Sequence, residues 1–92
     1  MKIIELIRVR TGSDNLKRNF EILRQIAKEA MRMRPKGAVQ LFQDNSVLGD
    51  FAYILTWNDE TIDAEGSPLG LKIKESIKTL GIVDYAVWTL IK

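Results

Sequence analysis

The sequence predicts a single α+β domain in the order strand–helix–strand–strand–helix–strand, with two helices covering one face of a four-stranded sheet. Three observations predict it. Two segments repeat apolar residues at helical spacing, four are rich in β-branched and aromatic residues, and turn or cap chemistry separates them. A chain of 92 residues holds one domain, residues 1–92.

Ile3 to Arg10 is rich in β-branched residues and runs into Thr11-Gly12-Ser13, a strand meeting a helix cap, with Ser13 or Asp14 supplying the capping oxygen. From there to Met33 the residues Leu16, Phe20, Leu23, Ala27, Ala30 and Met31 form one apolar stripe. A helix of about twenty residues at ~1.5 Å each spans roughly 30 Å. Arg34-Pro35-Lys36-Gly37 ends it, because the residue before a proline is pushed out of helical space. Ala38 to Gln43 and Asp50 to Trp57 read as strands joined by the turn residues from Asp44 to Gly49, hence a hairpin. Asn58 to Gly66 is a polar, acidic connection. Ser67-Pro68 then caps and starts a second helix whose inner face is Leu69, Ile73, Ile77 and Leu80, with Gly81 expected to close it in the left-handed conformation. Ile82 to Ile91 is the last strand.

Apolar residues occupy both faces of these strands. In the first, Ile3, Ile7 and Val9 point one way and Ile4 and Leu6 the other. In the third, Phe51, Tyr53, Leu55 and Trp57 oppose Ala52 and Ile54; in the last, Val83, Tyr85 and Val87 oppose Ala86, Trp88 and Leu90. A sheet with one face in water alternates apolar with polar residues, and this one does not. Two helices cover one face, so the other is an apolar patch of the kind that marks an interface, and a two-fold partner packing sheet on sheet satisfies it. A homodimer is expected.

Composition removes several chemistries. There is no cysteine for a disulfide or a thiolate, and no histidine to act as general base, metal ligand or proximal haem ligand. No apolar run approaches the ~20 residues of a membrane span, and the opening Met1-Lys2-Ile3-Ile4-Glu5 lacks a signal-peptide core, which points to the cytoplasm. Ten of the 14 basic side chains lie at or before Lys36, against four of the 12 acidic ones. Lys17, Arg18, Arg24, Lys28, Arg32 and Arg34 sit on or just past the first helix, where Glu21 and Glu29 make a solvated face the plain reading and an anionic partner the alternative.

The element order is also that of the RNA-recognition motif, and Phe51-Ala52-Tyr53-Ile54 matches the centre of its third-strand signature. The flanks do not. Gly49-Asp50 replaces the basic-glycine start, Thr56 stands where an aromatic belongs, and the first strand offers no ring to stack a base. Asp59-Glu60 and Asp63-Ala64-Glu65 lack the oxygen ladder and distal glutamate of a calcium loop, so no metal is expected. Gly66, Gly70 and Gly81 make no dinucleotide fingerprint. Two residues carry chemical interest. Glu5 is a carboxylate among aliphatics, either buried with a raised pKa as an acid or base, or paired with an arginine or reaching an edge. Trp57 ends the third strand on the face of Leu55, either as core or as a ligand wall.

With the third strand leading through Trp57-Asn58-Asp59-Glu60 into an acidic connection, then Ser67 and a short helix, the chain resembles the dimeric α/β-barrel superfamily and, within it, the antibiotic-biosynthesis-monooxygenase branch. The resemblance covers the whole chain in element order and length. It implies a ferredoxin-like plait with an antiparallel sheet, a barrel closed across a dimer, and a ligand cleft between each sheet and its helices. Some members oxidise polycyclic phenols with dioxygen and no cofactor; relatives degrade haem or isomerise lactones. Trp57 matches the tryptophan that lines the cleft. Tyr53 stands where phenol-oxidising members carry an amide side chain. Glu5 stands where haem-degrading members place an asparagine, and their second-helix histidine has no counterpart here. A cofactor-independent monooxygenase-like dimer acting on an aromatic substrate is the reading this favours, with Tyr53 and Trp57 stacking on the substrate and Glu5 accepting a proton. The alternatives are a non-catalytic dimeric module that binds a metabolite or protein and, last, RNA binding on the open sheet face.

Overall fold

The structure is a computed structural model that describes residues 1–58 and 61–92. Asp59 and Glu60, which belong to the acidic connection and to the step after Trp57, lie outside the described residues. The elements are β1 (Lys2–Arg10), α1 (Leu16–Met31), β2 (Val39–Gln43), β3 (Asp50–Asn58), α2 (Pro68–Ile77) and β4 (Ile82–Thr89). The strands form one sheet in the order β2-β3-β1-β4, every neighbouring pair antiparallel. This is the ferredoxin-like plait. β1 and β3, which carry apolar residues on both faces, take the two interior positions, where each has a partner on either side.

Register assigns the faces. Ile3, Glu5, Ile7 and Val9 of β1 lie opposite Trp57, Leu55, Tyr53 and Phe51 of β3, and all eight are buried beneath the helices. Leu23, Ala27 and Ala30 of α1 and Ile73 and Ile77 of α2 close that core. On the other face the row Gln40, Ile54, Leu6 and Ala86 crosses the whole sheet. Further along the same face, Trp88 is 59% exposed. Phe51 and Tyr53 of the RNA-recognition-like stretch therefore point into the core, and their rings offer no platform for bases on the open face.

Four local expectations are corrected. The first helix starts at Leu16, so neither Ser13 nor Asp14 caps it. Asn15 is the N-cap in the left-handed region at φ 57°, a conformation asparagine tolerates, and no side chain caps the amides. Instead the Asn19 side chain donates to the Asp14 carbonyl at 3.3 Å. The helix runs 16 residues, roughly 24 Å at ~1.5 Å per residue, because its last turn tightens. There Arg32 N–H donates to the Glu29 carbonyl at 3.3 Å and Met33 N–H to that of Ala30 at 3.0 Å. Gly81 does not close α2 in a left-handed conformation. A 3₁₀ turn over Lys78–Leu80 follows α2, and Gly81 is extended at φ 165°. Glycine is needed there for space, since a Cβ would run into the Arg10 carbonyl. Phe20 and Met31, placed on the apolar stripe by spacing, are 38% and 44% exposed, because they lie on the flank of α1 rather than beneath it.

Candidate functional site

Glu5 sits in the middle of β1, opposite Leu55 of β3 and Val87 of β4, with its side chain fully buried. Three donors hold the carboxylate. Trp57 Nε1–H donates to Oε1 at 2.7 Å, and Ser67 N–H donates to Oε2 at 3.2 Å. The Tyr85 hydroxyl donates to that same Oε2. All three are uncharged, so neither an arginine pair nor an edge explains this carboxylate. What offsets its desolvation is the set of hydrogen bonds together with the N-terminus of α2, whose partial positive charge faces Oε2.

The local sequence builds this arrangement. Ser67 is the N-cap of α2; its Oγ accepts from Gly70 N–H at 2.9 Å, which leaves its own N–H for Glu5. Pro68 follows as the first helical residue. Gly66, at φ 110°, brings the chain in tightly, and a Cβ there would occupy the space of the Tyr85 hydroxyl. At Gly70 a Cβ would run into Glu5 Oε2. Two glycines thus keep open the space that the carboxylate and phenol share.

Trp57 is 8% exposed, and the Arg34 guanidinium lies over its ring, 3.8 Å from the centroid. Arg34 Nη2 also donates to the Thr56 carbonyl at 3.3 Å, which ties the loop after α1 to the end of β3. Tyr53 shares the Trp57 face of β3 but is turned towards α1, where its hydroxyl donates to the Leu23 carbonyl at 2.6 Å. Of the three residues singled out in the sequence, Glu5 and Trp57 meet directly and Tyr53 stands apart, pinning sheet to helix. Tyr85 and the Ser67 amide were missed. The available signal was the alternation of Val83, Tyr85 and Val87, which puts Tyr85 on the face of Glu5; its proximity depends on the pairing of β4 with β1. Among the described residues, no group of three or more acidic side chains is arranged to hold a metal ion. No described helix is long and apolar enough to cross a membrane.

Both tyrosines resist ionisation. Burial holds Tyr53 well above the usual phenol value near 10. Burial does the same for Tyr85, reinforced by its hydrogen bond to Glu5 and by the carboxylate charge. A folded pKa above the unfolded one gives stability that is fully present below pH about 10 and is lost as the pH rises towards the folded values. Absorbance at 295 nm should therefore show both tyrosines silent in native protein at about pH 10.5 and titrating once it unfolds. Normal titration of both in the folded protein would contradict the burial of the two hydroxyls.

No protein-family profile matches the chain, and no curated protein sequence matches it. Solved structures do. A proposed antibiotic biosynthesis monooxygenase from Nitrosomonas europaea superposes with a TM-score of 0.67 at 7% identity, over 95% of this chain and 88% of that one. SnoaB, a cofactor-independent oxygenase from Streptomyces nogalater solved as a point mutant, gives 0.63 at 12% identity, over 99% and 94%. Rv0793 from Mycobacterium tuberculosis gives 0.67 at 14% identity, over 100% and 97%. The chain thus has the ferredoxin-like α+β fold of the antibiotic biosynthesis monooxygenase structures.

Proposed function

We propose that the protein is a homodimer that binds an aromatic small molecule and oxidises it with dioxygen, without metal or flavin, with Glu5 as the proton acceptor. The observation that carries this reading is a fully buried carboxylate held by three uncharged donors on the helix-covered face of the sheet. Its three donors are uncharged, so no ion pair has to break before it takes a proton from a bound substrate. Tyr85, half-buried with its hydroxyl on Oε2, gives the proton a route to Glu5. Trp57 supplies a stacking face once the Arg34 guanidinium yields it, and the Tyr53 ring walls the interior. In this reaction a phenol gives its hydroxyl proton to Glu5 and ring electrons to dioxygen. One oxygen atom bonds to a ring carbon whose C–H bond breaks and stays as the second oxygen of a quinone. The other leaves as water, taking up the two protons released from the hydroxyl, by way of Glu5, and from the ring. The fold shared with a cofactor-independent oxygenase supports the reading.

A non-catalytic binding module is the second reading, favoured by the cover Arg34 places over Trp57 and by the complete satisfaction of Glu5. One experiment separates the two. In a Trp88→Phe background the remaining tryptophan is Trp57, and a panel of phenols and quinones should quench its emission saturably. Glu5→Gln should leave binding within about threefold and abolish oxygen uptake, because a general base acts on the transition state more than on the complex. Saturable quenching without oxygen uptake by the parent protein selects the binding module. A Trp57 signal indifferent to the whole panel removes both.

A further inference from the structure

A concavity lies at the other end of β3 from Trp57. It is a groove of about 430 Å³ between the flank of α1 and the edge strand β2. Its volume falls within the roughly 300–1,000 Å³ of small-molecule sites. Phe51, which lines it, is four residues along β3 from Leu55, the partner of Glu5, or about 13 Å at ~3.3 Å per residue. The groove is therefore separate from the Glu5 network, and its ligand does not depend on the role given to Glu5.

The groove explains the exposure of Phe20 and Met31. Phe20 stacks on Phe51 with ring centroids 6.1 Å apart and planes inclined by 29°. Leu41 and Met31 extend the apolar lining; Phe42, paired with Ala52, borders the groove from the edge strand with its side chain on the alternate face from Leu41. Arg24 and Lys28 are also at the groove, one helical turn apart on α1, and Gln43 is the polar residue at the end of β2. Side chains four apart on a helix are neighbours, so the two cations are within reach of one small anion. Arg24 has only a loose pair with Glu21, at 3.8 Å between exposed groups, which competes weakly with a ligand carboxylate. We propose that this groove binds a planar aromatic acid, its fused rings against the phenylalanines and its carboxylate between Arg24 and Lys28. The phenyl-lined walls favour flat rings. The paired cations favour one anionic group over a neutral polar one, because charge-assisted hydrogen bonds are the stronger.

The probes are 2-naphthoate and 2-naphthylmethanol, which carry the same rings with and without the charge. Ring protons of Phe20 and Phe51 and the indole N–H of Trp57 are followed by NMR in the full chain. Naphthoate should shift the two phenylalanines saturably, leave Trp57 in place, and bind at least about tenfold more tightly than the alcohol. The Arg24→Gln, Lys28→Gln double variant, altered only at exposed positions, should lose that preference and keep the alcohol's affinity. Shifts at Trp57 instead of the phenylalanines would move the ligand to the Glu5 site and overturn the groove. So would equal affinities for the two probes. Phenylalanine shifts that follow protein concentration alone would make the groove a contact between copies and overturn the small-molecule assignment. If naphthoate has no effect while an acidic, apolar heptapeptide protects the β2 amides from exchange, the groove docks a strand and that assignment fails.

Discussion

Glu5→Ala is expected to lower the melting temperature by about 12 °C or more, a far larger effect than that of any carboxylate on the protein surface. The change strands three donors at once. Trp57 Nε1–H and Ser67 N–H lie in the interior, and Tyr85 is half-buried. A buried donor left unsatisfied costs about 1–3 kcal/mol, so the loss is about 3–6 kcal/mol from a domain whose total is of the order of 5–15 kcal/mol. For a domain near 100 residues each kcal/mol is worth roughly 4–8 °C. Glu5→Gln should lose less, because one oxygen still accepts while the amide nitrogen confronts a donor. Glu75→Ala, on the exposed face of α2, is the control and should change little. Thermal denaturation followed by circular dichroism reads all three. An alanine variant within about 1 kcal/mol of the parent would mean the hydrogen-bonded cage around Glu5 does not form.

The same cage shows why a buried carboxylate invites a functional reading. A wholly apolar replacement of similar shape, with Glu5, Trp57 and Tyr85 changed together, removes the carboxylate and two of its three donors, and such exchanges are often close to neutral. Stability alone does not require a charge at this position. The demands that the charge makes on its surroundings are specific: glycine at two positions and a helix N-terminus aimed at one oxygen.

The fold was legible because period-two and period-3.6 patterns are local. Ser67-Pro68 announces α2, and Leu23, Ala27 and Ala30 mark the inner face of α1 wherever that helix happens to begin. The errors fell at boundaries, where one left-handed residue at Asn15 or one steric conflict at Gly81 decides the outcome, and neither leaves a trace in composition. The site was half legible. Alternation put Glu5 and Trp57 on one face, and the pairing of Ile3 with Trp57 across β1 and β3 makes their contact possible. Tyr85 is 80 residues away in sequence and reaches Glu5 only because β4 pairs with β1, a tertiary fact. Arg34 over Trp57 is of the same kind, a contact between a loop and a strand end that no periodicity encodes.

The proposed dimer gives the second large effect. Ile54→Asp should raise the dimer dissociation constant at least about a hundredfold, whereas Arg24→Asp on α1 should leave it nearly unchanged. Ile54 lies mid-sheet on the open face, paired with Leu6 on one side and Gln40 on the other, so it falls near the centre of a sheet-to-sheet contact. In a two-fold interface one substitution enters twice, setting two carboxylates against each other and against apolar neighbours. An unpaired buried charge costs several kcal/mol by rough estimate, and about 2.7 kcal/mol already corresponds to a hundredfold. Arg24 lies on the other side of the molecule, exposed on α1 with Glu21 beside it. Sedimentation or light scattering across a dilution series measures both constants, and tryptophan emission gives a second signal. Trp88 is on the open face and Trp57 is in the interior, so dissociation should shift emission to the red through Trp88 alone, and Trp88→Phe should abolish the shift. Equal constants for the two aspartate variants would remove Ile54 from the interface, and a monomer mass for the parent at micromolar concentration would remove the dimer itself.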